Sequence, residues 1–177
     1  QVAPNDLFVL CADGLTDIVR IRNGSVDYWP NLGYGRFGAR ISMAGAPRFD
    51  SNNCFDPARI RLADVDGTGT TDLIYLGTDH VKYWKNQAGN AWSDVNPVNH
   101  FPAFNKMMNI TVMDLMGNGT SCLVAVSSSP ASGSHALQYL ELTGGKKPFL
   151  LTEMKNNLGA VTRLGYAPST KFYIRDK

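Results

Sequence analysis

Two stretches of equal length decide the fold: GLTDIVRIRNGSVDYWPNLGYGRF at positions 14–37 and GTTDLIYLGTDHVKYWKNQAGNAW at positions 69–92. Laid on one another at a constant offset of 55 and without a gap, they share Gly14/Gly69, Thr16/Thr71, Asp17/Asp72, Val26/Val81, Tyr28/Tyr83, Trp29/Trp84 and Asn31/Asn86. Phe37 falls on Trp92, and the apolar pair Ile18-Val19 falls on Leu73-Ile74. Seven identities at one spacing, a Tyr-Trp pair among them, mark an internal duplication. A third, more diverged copy follows. Asp114-Leu115-Met116-Gly117-Asn118-Gly119 repeats Asp64-Val65-Asp66-Gly67-Thr68-Gly69 at an offset of 50, and Leu123-Val124 stands where Leu73-Ile74 does.

Around these copies the chain reads as short β-branched or aromatic runs broken by Gly, Asn, Asp and Ser. Candidate strands cover 17–22, 26–29, 60–65, 73–76, 81–84, 110–115, 123–126, 137–142, 149–154 and 161–166. No segment keeps a helical period for long, so the expected class is all-β. A period of 50–55 residues holding about four short strands is that of a propeller blade, which cannot cover both faces of its sheet until neighbours stack on it. The expectation is a partial β-propeller over 1–147, with blades near 8–50, 58–100 and 108–147, followed by a β-hairpin over 148–177. That hairpin turns at Asn156-Asn157-Leu158-Gly159 and leads into a further domain.

Composition narrows the function. The 177 residues are 44% hydrophobic, enough for a real core, and carry 17 Lys plus Arg against 15 Asp plus Glu. That balance lacks the basic footprint of a nucleic-acid binder. The longest apolar run, Leu7–Ala12, is far below the ~20 residues of a membrane helix, so no direct membrane insertion is expected and no signal peptide is visible. Cys11, Cys54 and Cys122 form no metal-ligand spacing.

Catalytic motifs are absent: no GxSxG, HExxH or GxxxxGK[ST] occurs, and the GxGxxG pattern at 33–38 opens no helical period. His80, His100 and His135 stand alone, and Gly144-Gly145-Lys146-Lys147 reads as a turn. The expectation is a non-enzyme. The sharpest chemical candidate is the run Asp64-Val65-Asp66-Gly67-Thr68-Gly69-Thr70-Thr71-Asp72. It could offer a hard cation the carboxylates of Asp64, Asp66 and Asp72, the Thr68 hydroxyl and the Thr70 carbonyl, a set that suits Ca2+. The competing reading is a strand-connecting turn whose carboxylates accept main-chain N–H groups. At the offset of 55, Val9 and Cys11 fall on Asp64 and Asp66; in the third copy Met116 and Cys122 replace Asp66 and Asp72. Tyr28, Trp29, Tyr83, Trp84 and Trp92 fit either a ligand-stacking platform or packing between sheets, and their recurrence favours packing.

The strings DIVRIRNG (17–24), YWPNLGYGRFG (28–38), FDPARIRLAD (55–64) and YAPSTKFY (166–173) resemble the middle region of the B component of bacterial insecticidal toxin complexes. They are also similar to part of the amino-terminal portion of SpvB-type virulence proteins, and the aspartate run resembles the FG-GAP or VCBS loop of integrin-type propellers. The resemblance implies a secreted, shell-forming scaffold. Its propeller would dock on the pore-forming A component and gate passage of a cytotoxic polypeptide enclosed with the C component. The alternative is a calcium-stabilised adhesion or glycan-binding propeller.

Overall fold

A computed structural model describes residues 7–11, 15–51, 54–78, 80–99, 101, 108–127, 137–145 and 147–175. The fold is all-β and propeller-like, built from three antiparallel sheets that follow one another along the chain. The first runs β1 (Leu7–Cys11), β2 (Thr16–Arg22), β3 (Ser25–Trp29) and β4 (Ile41–Ser42) as a meander. The second begins after a 3-10 turn capped by Asp56 and comprises β5 (Ile60–Ala63), β6 (Asp72–Leu76) and β7 (Val81–Trp84). A two-residue ladder, β8 (Asn86–Gln87) with β9 (Ala91–Trp92), intervenes before the fourth strand, β10 (Asn96–Val98). The third sheet has β11 (Met108–Met113), β12 (Cys122–Ser127) and β13 (Leu137–Glu141).

The duplication is a duplication of structure. Ile18 pairs with Trp29 and Val19 with Tyr28 in the first sheet, as Leu73 pairs with Trp84 and Ile74 with Tyr83 in the second. Even the small ladder recurs, since Asn31 bridges Phe37 as Asn86 pairs with Trp92.

Alternation along a strand sends successive side chains to opposite faces, and here both faces of the middle sheet are used. All five residues of β6 are buried. Leu73 and Tyr75 pack with Val19, Ile21, Val26 and Phe49 in the core between the first and second sheets. Ile74 and Leu76 pack with Ile110, Leu123 and Ala125 in the core between the second and third. Each buried aliphatic side chain stabilises by roughly 1.5–3 kcal/mol, so the middle sheet is the stable centre of the stack. Rings add to the first core: Phe49 lies 5.2 Å from Tyr75 and 5.3 Å, edge-on, from Trp84. Polar links join the sheets as well. Arg61 Nε donates to the Ile110 carbonyl at 2.9 Å, and at a parallel bridge between Ala44 and Ala91 the Ala44 N–H donates to the Asn90 carbonyl while the Trp92 N–H donates to the Ala44 carbonyl. Gly45 beside that bridge has φ +65°, and a Cβ there would sit 3.0 Å from the Trp92 carbonyl oxygen.

The expected hairpin is present as β14 (Glu153–Lys155) and β15 (Val161–Arg163), shorter than the runs read from sequence. The Asn156 carboxamide oxygen accepts from Leu158 and Ala160, and Gly159 takes φ +89°, which makes the turn at the expected place. Residues 169–175 differ from expectation. They form a single short helix, α1 (Ser169–Arg175), although Thr170, Phe172, Tyr173 and Ile174 have strand propensity.

Candidate functional site

The aspartate loop connects β5 to β6 at one end of the second sheet. Asp64 folds it: one carboxylate oxygen accepts from Gly67 (2.7 Å) and Thr68 (3.1 Å), the other from Gly69 (2.9 Å). Such a nest of N–H donors around one carboxylate is the Asx-type turn that the residue order favours. Gly67 has φ +74°, and a Cβ there would lie 2.9 Å from the Pro148 ring. The third loop repeats the device, with Asp114 accepting from Asn118 (3.1 Å) and Gly119 (2.7 Å). The two loops touch, since Ser121 Oγ donates to the Asp64 carbonyl at 2.7 Å.

Asp72, at the other end of the loop, is fully buried and pins the β8 turn to the sheet. Its carboxylate accepts from Asn86 N at 2.7 Å and from Val65 N at 2.9 Å. The Asn86 side chain in turn donates to the Thr71 carbonyl (3.1 Å) and accepts from Gly89 N (2.8 Å). The first sheet carries the same arrangement: Asn31 N reaches Asp17 at 2.8 Å, Asn31 Nδ2 reaches the Thr16 carbonyl at 3.0 Å, and Gly33 N reaches Asn31 at 2.9 Å. Burial pushes the Asp72 carboxyl up to about 6; the Asn86 and Val65 N–H groups oppose that shift, and the Asp66 and Asp64 charges add to it.

The carboxylates of Asp64, Asp66 and Asp72 converge, with ligand atoms within 4.8 Å of one another. Thr68 and Thr70 join their hydroxyls at 2.8 Å, and Thr70 Oγ1 donates to the Asn86 carbonyl at 3.3 Å. Asp66 accepts from Thr68 N at 3.2 Å and meets the Lys85 ammonium at 3.4 Å. The oxygen-rich donor set fits a hard cation, while the N–H donors and Lys85 give the same loop a way to hold its charges without one.

Pairing register corrects one sequence alignment. Leu10 pairs with Asp17 and Val9 with Ile18, as Ala63 pairs with Asp72 and Leu62 with Leu73. Val9 therefore corresponds to Leu62, and Cys11 to Asp64. The first loop is two residues shorter than the second, six against eight between those paired positions, a deletion that an ungapped offset hides. The third loop keeps the full length, because Met113 pairs with Cys122. Asp64 thus has a counterpart in Asp114 and Asp72 one in Asp17. Counted from the paired positions Leu10 and Ala63, Asp66 falls on Asp13 in the first copy and on Met116 in the third.

Most of the aromatic positions are spent on packing. Trp84 and Trp92 are buried in the first core with Tyr28 against it, and Tyr83 packs against the second. Trp29 stays half-buried beneath the Arg20 guanidinium, 5.5 Å from its centroid. Of the three histidines, His80 is half-buried, and His100 and His135 lie outside the described residues, as do Gly14 and Lys146. Sequence reading passed over Lys85 and Ser121. It matched Asn31 with Asn86 without assigning them a role, although their recurrence was the available signal.

Residues 98–177 match the family described as the insecticide toxin TcdB middle/N-terminal region. Two solved structures, a TcdB2-TccC3-Cdc42 crystal structure and TcdB2-TccC3 without its hypervariable C-terminal region, align with TM-scores of 0.79 and 0.78. Both alignments show 34% identity and cover 93% of this chain and 8% of theirs, so the chain spans about one-twelfth of their length. An Agrocybe aegerita lectin structure, described for recognition of non-reducing terminal N-acetylglucosamine, aligns at TM-score 0.53 and 22% identity. It covers 70% of this chain and 34% of that one, and the likeness is one of fold. No curated protein matches.

Proposed function

This chain belongs with the TcdB-like middle regions of insecticidal toxin complexes, and from that premise we propose that it is a non-enzymatic scaffold module of a secreted toxin assembly. In this reading the stacked sheets dock on the pore-forming A component and gate passage of the cytotoxic polypeptide, with the C component as the other partner. The observation that carries it is the 34% identity to TcdB2-TccC3 structures over 93% of the chain, joined to a sheet stack whose recurring polar pairs serve folding. Asp17–Asn31 and Asp72–Asn86 pin turns, and Asp64 and Asp114 fold loops. Among the described residues no helix is long and apolar enough to cross a membrane.

Calcium is the cation we assign to the second loop, held by the Asp64, Asp66 and Asp72 carboxylates with Thr68 and Thr70. Bound there, it would supply charge neutralisation and a fixed loop. The adhesion or glycan-binding alternative is weakened by the burial of Trp84 and Trp92, which removes the stacking platform it needs.

Titrating the purified chain against the purified A component and, separately, the C component, in calcium and in EDTA, tests the scaffold. Saturable binding to either that survives EDTA supports it. Binding to neither, with cation-dependent capture of glycans on an array, contradicts it.

A further inference from the structure

The second and third loops meet at one end of the stack, and residues that follow β13 close over both. Ser121 Oγ joins the third loop to the Asp64 carbonyl, and the Leu142 N–H donates to the Ser121 carbonyl at 3.2 Å. Pro148 lies so near the second loop that a Cβ on Gly67 would meet its ring, and the Lys147 side chain lies 3.1 Å from where a Cβ on Gly119 would stand. Even so, the space is not filled. A cavity of about 80 Å3 remains, with Asp64 and Val65 on one wall, Thr120 and Ser121 on a second, and Thr143 and Pro148 on a third.

Thr143 gives this cavity its chemistry. Its hydroxyl is buried and meets no hydrogen-bond partner among the described residues. The other hydroxyls of the two loops are bonded: Thr68 with Thr70, Thr120 with the Asn118 carboxamide oxygen, Ser121 with the Asp64 carbonyl. A buried hydroxyl left without a partner is costly and rare, so this one asks for an explanation. Thr120 and Ser121 have committed their protons and offer only lone pairs, whereas Thr143 has a proton to give. The occupant must therefore accept one hydrogen bond and donate others. An anion would face the Asp64 charge, and a bare metal cation would take lone pairs but leave the Thr143 proton unmatched. Water does both, and at ~30 Å3 each there is room for about two.

We propose that the cavity between the second and third loops is an internal hydration site, in which ordered water accepts from the Thr143 hydroxyl and donates to the lone pairs of Thr120 and Ser121. The water ties the end of the third sheet to the loops of the second and third, where direct contacts alone leave a gap. Each of these partners is among the described residues, so the site needs nothing from the rest of a longer protein. It stands apart from the toxin-complex reading and from any cation in the second loop.

Two measurements on the whole chain test it. Water-selective, 13C-edited ROESY should give cross-peaks with the sign of a long-lived water at the carbon-bound protons of Val65 and Pro148. Oxygen-17 relaxation dispersion, which sees water oxygen and not exchanging hydroxyl protons, should lose the amplitude of one or two waters in Thr143→Val and keep it in Thr143→Ser. Amide exchange at Leu142 should quicken about tenfold in the valine variant and stay near the parent rate in the serine variant. The proposal is overturned if the parent shows no such cross-peaks, a result that stands whether or not the valine variant folds. It is also overturned if a folded Thr143→Val keeps the full dispersion amplitude, because the hydroxyl then holds no water.

Discussion

Asn86 and Asn31 occupy the same place in two sheets, and the cost of losing each differs with burial. Asn86 is buried, and its side chain satisfies the Thr71 carbonyl and the Gly89 N–H. Asn86→Ala strands both and should lower stability by about 2–3 kcal/mol, whereas Asn31→Ala, in a wetter turn, should cost about 1 kcal/mol. Urea denaturation of the two variants checks the order. Asp64 folds the loop and Asp72 pins the β8 turn, whereas Asp66 accepts from Thr68 N, so Asp66 discriminates between cation site and simple turn. In EDTA, Asp66→Ala should be within about 0.5 kcal/mol of the parent, because its contact with Lys85 is partly exposed. Calcium should raise the melting temperature of the parent and leave that of Asp66→Ala unmoved. A parent melt that is indifferent to both calcium and chelator removes the cation from the account. Asp27 sets an acid limit. The Ser42 hydroxyl, and then Arg20 at 2.5 Å, hold its carboxyl below the ordinary range against the opposing effect of burial. A lowered native pKa favours the folded state above the unfolded value near 3.8, and that stability is lost as pH falls through the native pKa. Unfolding followed between pH 5 and 2 should therefore show a smaller acid-dependent loss in Asp27→Asn than in the parent.

β6 and β12 have nearly the same sequence pattern and different surroundings, which separates what burial does from what propensity does. Ile74 faces the third sheet and is fully buried; Val126, on β12, is on an open face. Ile74→Ala should cost about 2–4 kcal/mol and Val126→Ala less than about 1 kcal/mol in denaturant unfolding. Equal losses would mean that something covers the outer face of the third sheet. The central strands were legible from residues alone, because Ile18-Val19, Leu73-Ile74 and Leu123-Val124 are apolar on both faces and recur at fixed offsets. The fourth strands were not. Ile41–Ser42 and Asn96–Val98 are two or three residues long, one contains Pro97, and neither alternates over enough positions to give a period. α1 was hidden for the opposite reason, since its aromatic and β-branched residues argue locally for a strand. The loop acids were legible as a group, and their convergence within 4.8 Å agrees with the spacing. Their separate duties were not legible, because the ungapped offset sets Val9 and Cys11 against Asp64 and Asp66, whereas the pairing register, with its two-residue deletion in the first loop, sets Cys11 against Asp64.

At the scale of the molecule, three sheets succeed one another so that each new sheet covers the face its predecessor leaves open. The first core is closed by rings from the connection between sheets and from the second sheet, the second core mainly by aliphatic side chains. The fold is therefore a stack whose stability passes from sheet to sheet. The Phe49–Tyr75 contact, 5.2 Å between ring centroids, reports directly on whether the first and second units lie face to face. A double-mutant cycle in urea with Phe49→Leu, Tyr75→Leu and the double variant measures it. Face-to-face stacking of the repeated unit is expected to give a coupling of about 0.5–1.5 kcal/mol between the two sites. Effects that add to within about 0.3 kcal/mol would contradict it.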